Sequence, residues 1–108
     1  MAISKNSRKT VTFRLHAPEA QNVSIAGTFN EWNVNSHPMK RSRKEKNGYN
    51  YWQIPMRLPP GTYQYLFFVD GAWWNDPASN QYIANVFGSL NNVIEVQDDL
   101  LKKLVKIQ

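Results

Sequence analysis

From Thr10 to His16 apolar and polar residues alternate, with Val11, Phe13 and Leu15 on one side and Thr12, Arg14 and His16 on the other. That period of two is the signature of a half-buried strand. Asn22 to Thr28 repeats it with Val23 and Ile25 and closes on Ala26-Gly27. Turn-forming residues fill 29–37, and a short strand is predicted around Met39. The basic run Lys40-Arg41-Ser42-Arg43-Lys44-Glu45-Lys46 follows and ends at Asn47-Gly48, a hairpin-turn dipeptide. Tyr49 to Leu58 alternates again, placing Trp52, Ile54, Met56 and Leu58 on one face. Pro55 cannot donate a ladder hydrogen bond, so an edge position or a bulge is predicted there.

After the Pro59-Pro60-Gly61 turn, Thr62 to Asp70 is the strongest strand in the chain, with Tyr63, Tyr65, Phe67 and Val69 on one face and Leu66 and Phe68 on the other. Asp70-Gly71 predicts a tight turn and Trp73-Trp74 a short return strand; from Asp76-Pro77 a loop is expected to about Leu90. Asn92 to Val96 reads as the last strand, Ile94 and Val96 inward. Six or seven short strands, separated by turn signals and without an internal helix, predict an all-β fold, an antiparallel sandwich.

The tail differs in kind. Asp98-Asp99 can cap a helix, Leu100, Leu101, Leu104 and Val105 form one stripe, and Lys102, Lys103 and Lys106 suit the negative end of its dipole. So short a helix is marginal alone. It is expected to pack on the sandwich, on a second copy or on a protein partner. The resulting organisation is a flexible N-terminus over 1–9, a β-sandwich over 10–97 and a C-terminal amphipathic helix or tail over 98–108.

At 108 residues the chain is one domain with enough length to bury a core unaided. It contains no Cys and two isolated histidines, so neither a disulfide framework nor a metal site is predicted, and no motif asks for a cofactor. The first nine residues lack a following apolar segment and no long apolar run exists, so neither a signal peptide nor a membrane span is predicted, and a cytoplasmic location is the default. A net charge of +5 suits an anionic partner but equally keeps a small domain soluble. For Lys40–Lys46 a solvated hairpin that blunts a sheet edge is the preferred reading over a nucleic-acid patch.

Candidate catalytic groups are sparse. Asp70 and Asp76 are the one close carboxylate pair in a promising region, but Asp-Gly and Asp-Pro are turn chemistry first, and no enzyme activity is predicted. His16 ends a strand on its polar face, and His37 precedes Pro38 with no orienting partner evident from sequence. The glycines are scattered singly, without a phosphate-binding loop.

The aromatics say more. Phe13, Trp52, Tyr65 and Phe67 belong to inward faces, whereas Trp32, Trp73 and Trp74 lie among Gly, Asn, Asp and Pro, where large rings are exposed. Strand alternation sends one of the adjacent pair Trp73-Trp74 to each face, so only one can share a surface with Trp32. A flat apolar face beside amides suits the C–H face and hydroxyl rim of a pyranose, and a single-stranded base could stack there too. Residues 69–77 and 85–93 contain no Lys or Arg, which favours a neutral sugar over nucleic acid.

The ordered motifs Ala26-Gly27-Thr28-Phe29-Asn30-Glu31-Trp32, Gly61 to Trp73, Asn75-Asp76-Pro77 and Phe87-Gly88-Ser89-Leu90-Asn91-Asn92-Val93 resemble the glycogen-binding domain of the AMP-activated protein kinase β subunit, a family 48 carbohydrate-binding module. Related modules stand at the N-terminus of branching and debranching enzymes and isoamylases. The resemblance covers 10–97 and implies an immunoglobulin-like (early-set) β-sandwich that binds α-1,4-glucan or maltooligosaccharides without catalysis. It implies that Trp32 and Trp73 stack on sugar and that Phe87 reaches around the chain. Ser89 and Asn91 correspond to hydroxyl-binding positions. Leu66 stands where the kinase-type domain has a Lys, so one charged hydroxyl contact is missing and weaker binding is implied. The alternative is a protein-interaction scaffold that uses the same sandwich and its C-terminal helix, with vestigial sugar binding.

Overall fold

The computed structural model describes residues 8–42 and 51–97. The described residues form strands β1 (Lys9–His16), β2 (Val23–Gly27), β3 (Lys40–Ser42), β4 (Tyr51–Leu58), β5 (Gly61–Val69), β6 (Ala72–Trp74), β7 (Tyr82–Ala84) and β8 (Leu90–Val96), with one turn of 3-10 helix at Thr28–Asn30. All pairings are antiparallel. A three-stranded sheet runs β1-β4-β3; a five-stranded sheet runs β2-β5-β8-β7, with β6 added to β5.

The inward faces make one core. Phe13, Leu15, Trp52, Met56 and Leu58 come from the smaller sheet, and Val23, Ile25, Tyr65, Phe67, Val69 and Val96 from the larger. Phe13 and Tyr65 meet across the two layers with ring centroids 4.9 Å apart. Ile25 and Phe67 are fully buried, and each such side chain contributes about 1.5–3 kcal/mol of transfer free energy. The architecture is thus an all-β sandwich. Pro55 pairs with Thr12 of β1, while β3 reaches only to Gln53, so the proline occupies the predicted edge position.

One feature departs from the sequence reading. Strand β7 lies inside the expected 76–90 loop: Tyr82, Ile83 and Ala84 are all exposed and too few to show a period, so their pairing with β8 is set by the neighbouring strand. Leu66, on the outward face of β5, is buried. The C-terminal helix predicted for 98–108, the Asn47-Gly48 hairpin turn and most of the N-terminal segment 1–9 lie outside the described residues.

Strand β5 organises the larger sheet. β2 covers one flank, while the other is shared end to end by β8, opposite Gly61–Tyr65, and β6, opposite Phe67–Val69. At the join sits the fully buried Asn92. Its Nδ2 donates to the Tyr65 carbonyl at 3.1 Å, and its Oδ1 accepts from the Asp76 N–H at 3.2 Å and from Asn75 Nδ2 at 3.1 Å. A buried amide bonded at both its oxygen and its nitrogen ties three segments together instead of costing stability.

Candidate functional site

The outward face of β5 presents Gln64, Leu66 and Phe68. The β5–β6 hairpin turns on Asp70 (φ 48°) and Gly71 (φ 87°), both left-handed, which suits a two-residue turn matched to strand twist. That turn sets Trp73 opposite Phe68, with ring centroids 4.8 Å apart and half of the indole exposed.

Trp32 arrives from the loop after β2. Gly27 lies so close to β5 that a Cβ there would run into the Gln64 carbonyl oxygen and stand 2.9 Å from Tyr65 Cβ. Beyond it Glu31 (φ 57°) and Trp32 (φ 59°) both adopt the left-handed conformation, which costs side-chain-bearing residues energy and must be held by surrounding bonds. Asn30 supplies them. Its Oδ1 accepts from the Gly27 N–H at 3.0 Å, and its Nδ2 lies within 3.3 Å of the Ile25 and Asn33 carbonyls, Ser36 Oγ and His37 Nδ1. The Trp32 N–H donates to the Gly27 carbonyl at 2.9 Å. The Trp32 and Trp73 rings end 6.3 Å apart at 74°.

The third wall is the β7–β8 loop. Asn85 Oδ1 accepts from the N–H groups of Phe87 (2.9 Å) and Ser89 (3.1 Å), closing the loop around Gly88 at φ 86°. Phe87 is left 88% exposed, next to the equally open Val86. From Asn85 an amide chain runs inward: Asn85 Nδ2 donates to Asn91 Oδ1 at 3.0 Å, and Asn91 Nδ2 donates to Gln64 Oε1 at 3.0 Å.

These walls enclose an open groove of ≈ 810 Å³. Trp32, Leu66, Trp73, Phe87, Ser89 and Asn91, each singled out from sequence, all line it. Trp74 does not: it pairs with Phe67 on the opposite face of β6, beside His16, Pro18 and Val69. Asn91 is only 7% exposed, with each end of its amide already engaged once. Gln64, Asn85 and Asn30 carry no sequence signal of their own. A polar residue on an outward strand face and asparagines in turns are ordinary, and their importance comes from contacts across 27 and 6 residues of chain.

The groove lining contains no charged residue. Every described Lys and Arg lies elsewhere: Arg8 and the strand residues Lys9, Arg14, Lys40, Arg41 and Arg57, all on or beside the smaller sheet. Asp70 and Asp76 are not a reacting pair. Asp70 accepts the N–H groups of Gln21 and Asn22 at 3.0 and 2.8 Å, while the buried Asp76 accepts the Tyr65 hydroxyl at 2.6 Å and the Ala78 N–H at 2.9 Å. Burial, and then the hydrogen bond to Asp76, push the Tyr65 phenol well above its ordinary value. His37, without evident partners in the sequence, has Nδ1 engaged at 2.8 Å by Ser36 and at 3.0 Å by Asn30. Apolar faces at an angle to one another, rimmed by amides and a hydroxyl, suit a neutral hydroxylated ligand.

The family model describing the glycogen recognition site of AMP-activated protein kinase matches residues 10–102. Over 75 residues, 69% of this chain, the sequence is 39% identical to 5′-AMP-activated protein kinase subunit beta-1 of Bos taurus, covering 24% of that protein. Over the same length it is 37% identical to subunit beta-1 of Homo sapiens (24% covered) and to subunit beta-2 of Mus musculus (25% covered). The chain therefore spans about a quarter of the length of these relatives.

Proposed function

This chain belongs to the family of the glycogen recognition site of AMP-activated protein kinase, and from that premise we propose that it is a noncatalytic module binding α-1,4-glucan of the glycogen or starch type in the Trp32–Trp73 groove. The observation that carries the reading is the angled pair of tryptophans over an uncharged groove rimmed by amides. Trp32 and Trp73 stack on successive glucose rings, Phe87 covers the chain from the open side, and Ser89 and Asn91 bond to hydroxyls. Leu66 gives the floor apolar contact where a charged side chain would add a hydrogen bond. The sandwich is then of the immunoglobulin-like, early-set kind, and the module works in the cytoplasm.

Aromatic stacking contributes about 0.5–1.5 kcal/mol per ring beyond area burial, which with exposed hydrogen bonds corresponds to dissociation constants of about micromolar to millimolar. Affinity rises with oligosaccharide length until the groove is filled. Electrophoresis through gels containing glycogen, amylopectin or a β-glucan tests this. Glycogen and amylopectin are expected to retard the parent chain and β-glucan to leave it free, with Trp32→Ala/Trp73→Ala running free in all three. Equal retardation of the double variant would remove the reading. Retardation should also hold at high salt, since no ion pair is involved; a steep salt dependence would point to a polyanion instead.

A further inference from the structure

We propose that Gln64 is a sugar-binding residue of the groove and presents N–H donors there, its orientation fixed by the amide chain that begins at Asn85; this rests on the glucan reading of the groove. Side-chain amides can face either way, but this chain has one end with no choice. The Phe87 and Ser89 backbone N–H groups can only donate, so Asn85 must turn its oxygen to them, at 2.9 and 3.1 Å. Its Nδ2 then faces Asn91 at 3.0 Å, so Asn91 must offer oxygen. Asn91 Nδ2 in turn faces Gln64 at 3.0 Å, so Gln64 must offer oxygen as well. What remains is Gln64 Nε2, which has no protein partner among the described residues, on a side chain that lines the groove together with Leu66 and Asn91.

The polarity set by the loop is thereby passed to the groove floor. Both Nε2 hydrogens of Gln64 are available to sugar oxygens, whereas Asn91, nearly buried and bonded at both ends, has one hydrogen left. Gln64 is the better supplied donor, and Asn85 is the positioning residue for both.

Titration calorimetry of the whole chain with maltoheptaose separates the possibilities. Gln64→Glu keeps an oxygen for Asn91 but replaces the free donors; binding is expected to weaken roughly five- to tenfold, as it should in Gln64→Ala. If Gln64 served only to hold Asn91, Gln64→Glu would bind like the parent, and that result overturns the proposal. Asn85→Asp still accepts from Phe87 and Ser89 but cannot donate to Asn91, so a loss of similar size is expected with the melting temperature little changed. The Gln64 side-chain NH2 resonances of the parent should shift on saturation with maltoheptaose; resonances that stay in place while binding is measured also overturn the assignment. No binding by the parent would instead overturn the glucan reading, and this inference with it.

Discussion

Trp32 and Trp73 meet edge to face, their centroids 6.3 Å apart and their planes at 74°. Two faces set nearly at right angles cannot both lie flat on an extended ribbon of sugar rings, but they can follow a chain that turns. The groove is therefore expected to prefer the curved α-1,4-glucan to a straight β-1,4-glucan. Because the rings also touch each other, removing one unsettles the other. Trp32→Ala and Trp73→Ala are each expected to weaken β-cyclodextrin binding about tenfold or more, with a coupling of at least about 0.5 kcal/mol in a double-mutant cycle. Calorimetry with β-cyclodextrin and cellohexaose checks both statements; strictly additive losses would mean that the two rings act separately.

Trp74 is the internal control. It lies on the other face of β6 from Trp73 and covers the edge of the core near Ala17 and Val69, 40% exposed. Trp74→Ala should leave glucan affinity within about twofold while lowering stability by about 2 kcal/mol, less than the ~3–5 kcal/mol of a fully buried Trp. Urea unfolding and cyclodextrin titration of the same sample read the two effects separately.

The pattern along the chain revealed the elements whose alternation is long enough to register, such as Phe13 and Leu15 in β1 or Tyr65, Phe67 and Val69 in β5. It could not reveal β7, whose three exposed residues owe their conformation to β8. Aromatic rings among turn residues pointed to the groove because an exposed indole is costly without a use. The family resemblance brought in Ser89 and Asn91, but the amide chain behind them stayed hidden: Gln64 and Asn91 stand 27 residues apart and meet only through the β5–β8 pairing. Asp76 was legible as a turn former, not as a buried carboxylate, since nothing local signals that Tyr65 lies above it.

Asn30 should behave as a positioning residue for Trp32. Its side chain supports a loop with two successive left-handed residues, so Asn30→Ala removes the bonds that offset that cost. A stability loss of about 1–3 kcal/mol is expected, with a glucan affinity loss approaching that of Trp32→Ala. Trp32→Ala should in contrast lose affinity with little loss of stability. Comparing melting temperature and cyclodextrin affinity for the two variants decides the matter, and an Asn30→Ala chain with parental affinity would dismiss the role.

Gly27 is needed for closeness, not for turning. Its backbone is extended at φ −171°, which any residue accepts, but an added Cβ meets backbone of β5 that cannot give way. Gly27→Ala is expected to cost about 1–3 kcal/mol by prising β2 from β5 where Gly27 pairs with Tyr65. Faster amide exchange confined to the β2–β5 ladder would show it; unchanged protection there would contradict the steric account.

Tyr65 and Asp76 tie stability to alkaline pH. Burial and the carboxylate partner raise the phenol above its ordinary 10.0, so above that pH the unfolded chain releases a proton that the folded chain retains. The contribution of Tyr65 is therefore complete below about pH 10 and declines as pH rises, by up to about 1.4 kcal/mol per unit. At neutral pH Tyr65→Phe leaves Asp76 Oδ2 without its donor and should be less stable by about 1–3 kcal/mol. The variant has no such proton to lose, so the gap between the two chains should narrow above about pH 10. Urea unfolding of both from about pH 8 to pH 11.5 measures that gap, and a constant difference across the range would show that the Tyr65 proton is not held more tightly in the folded state.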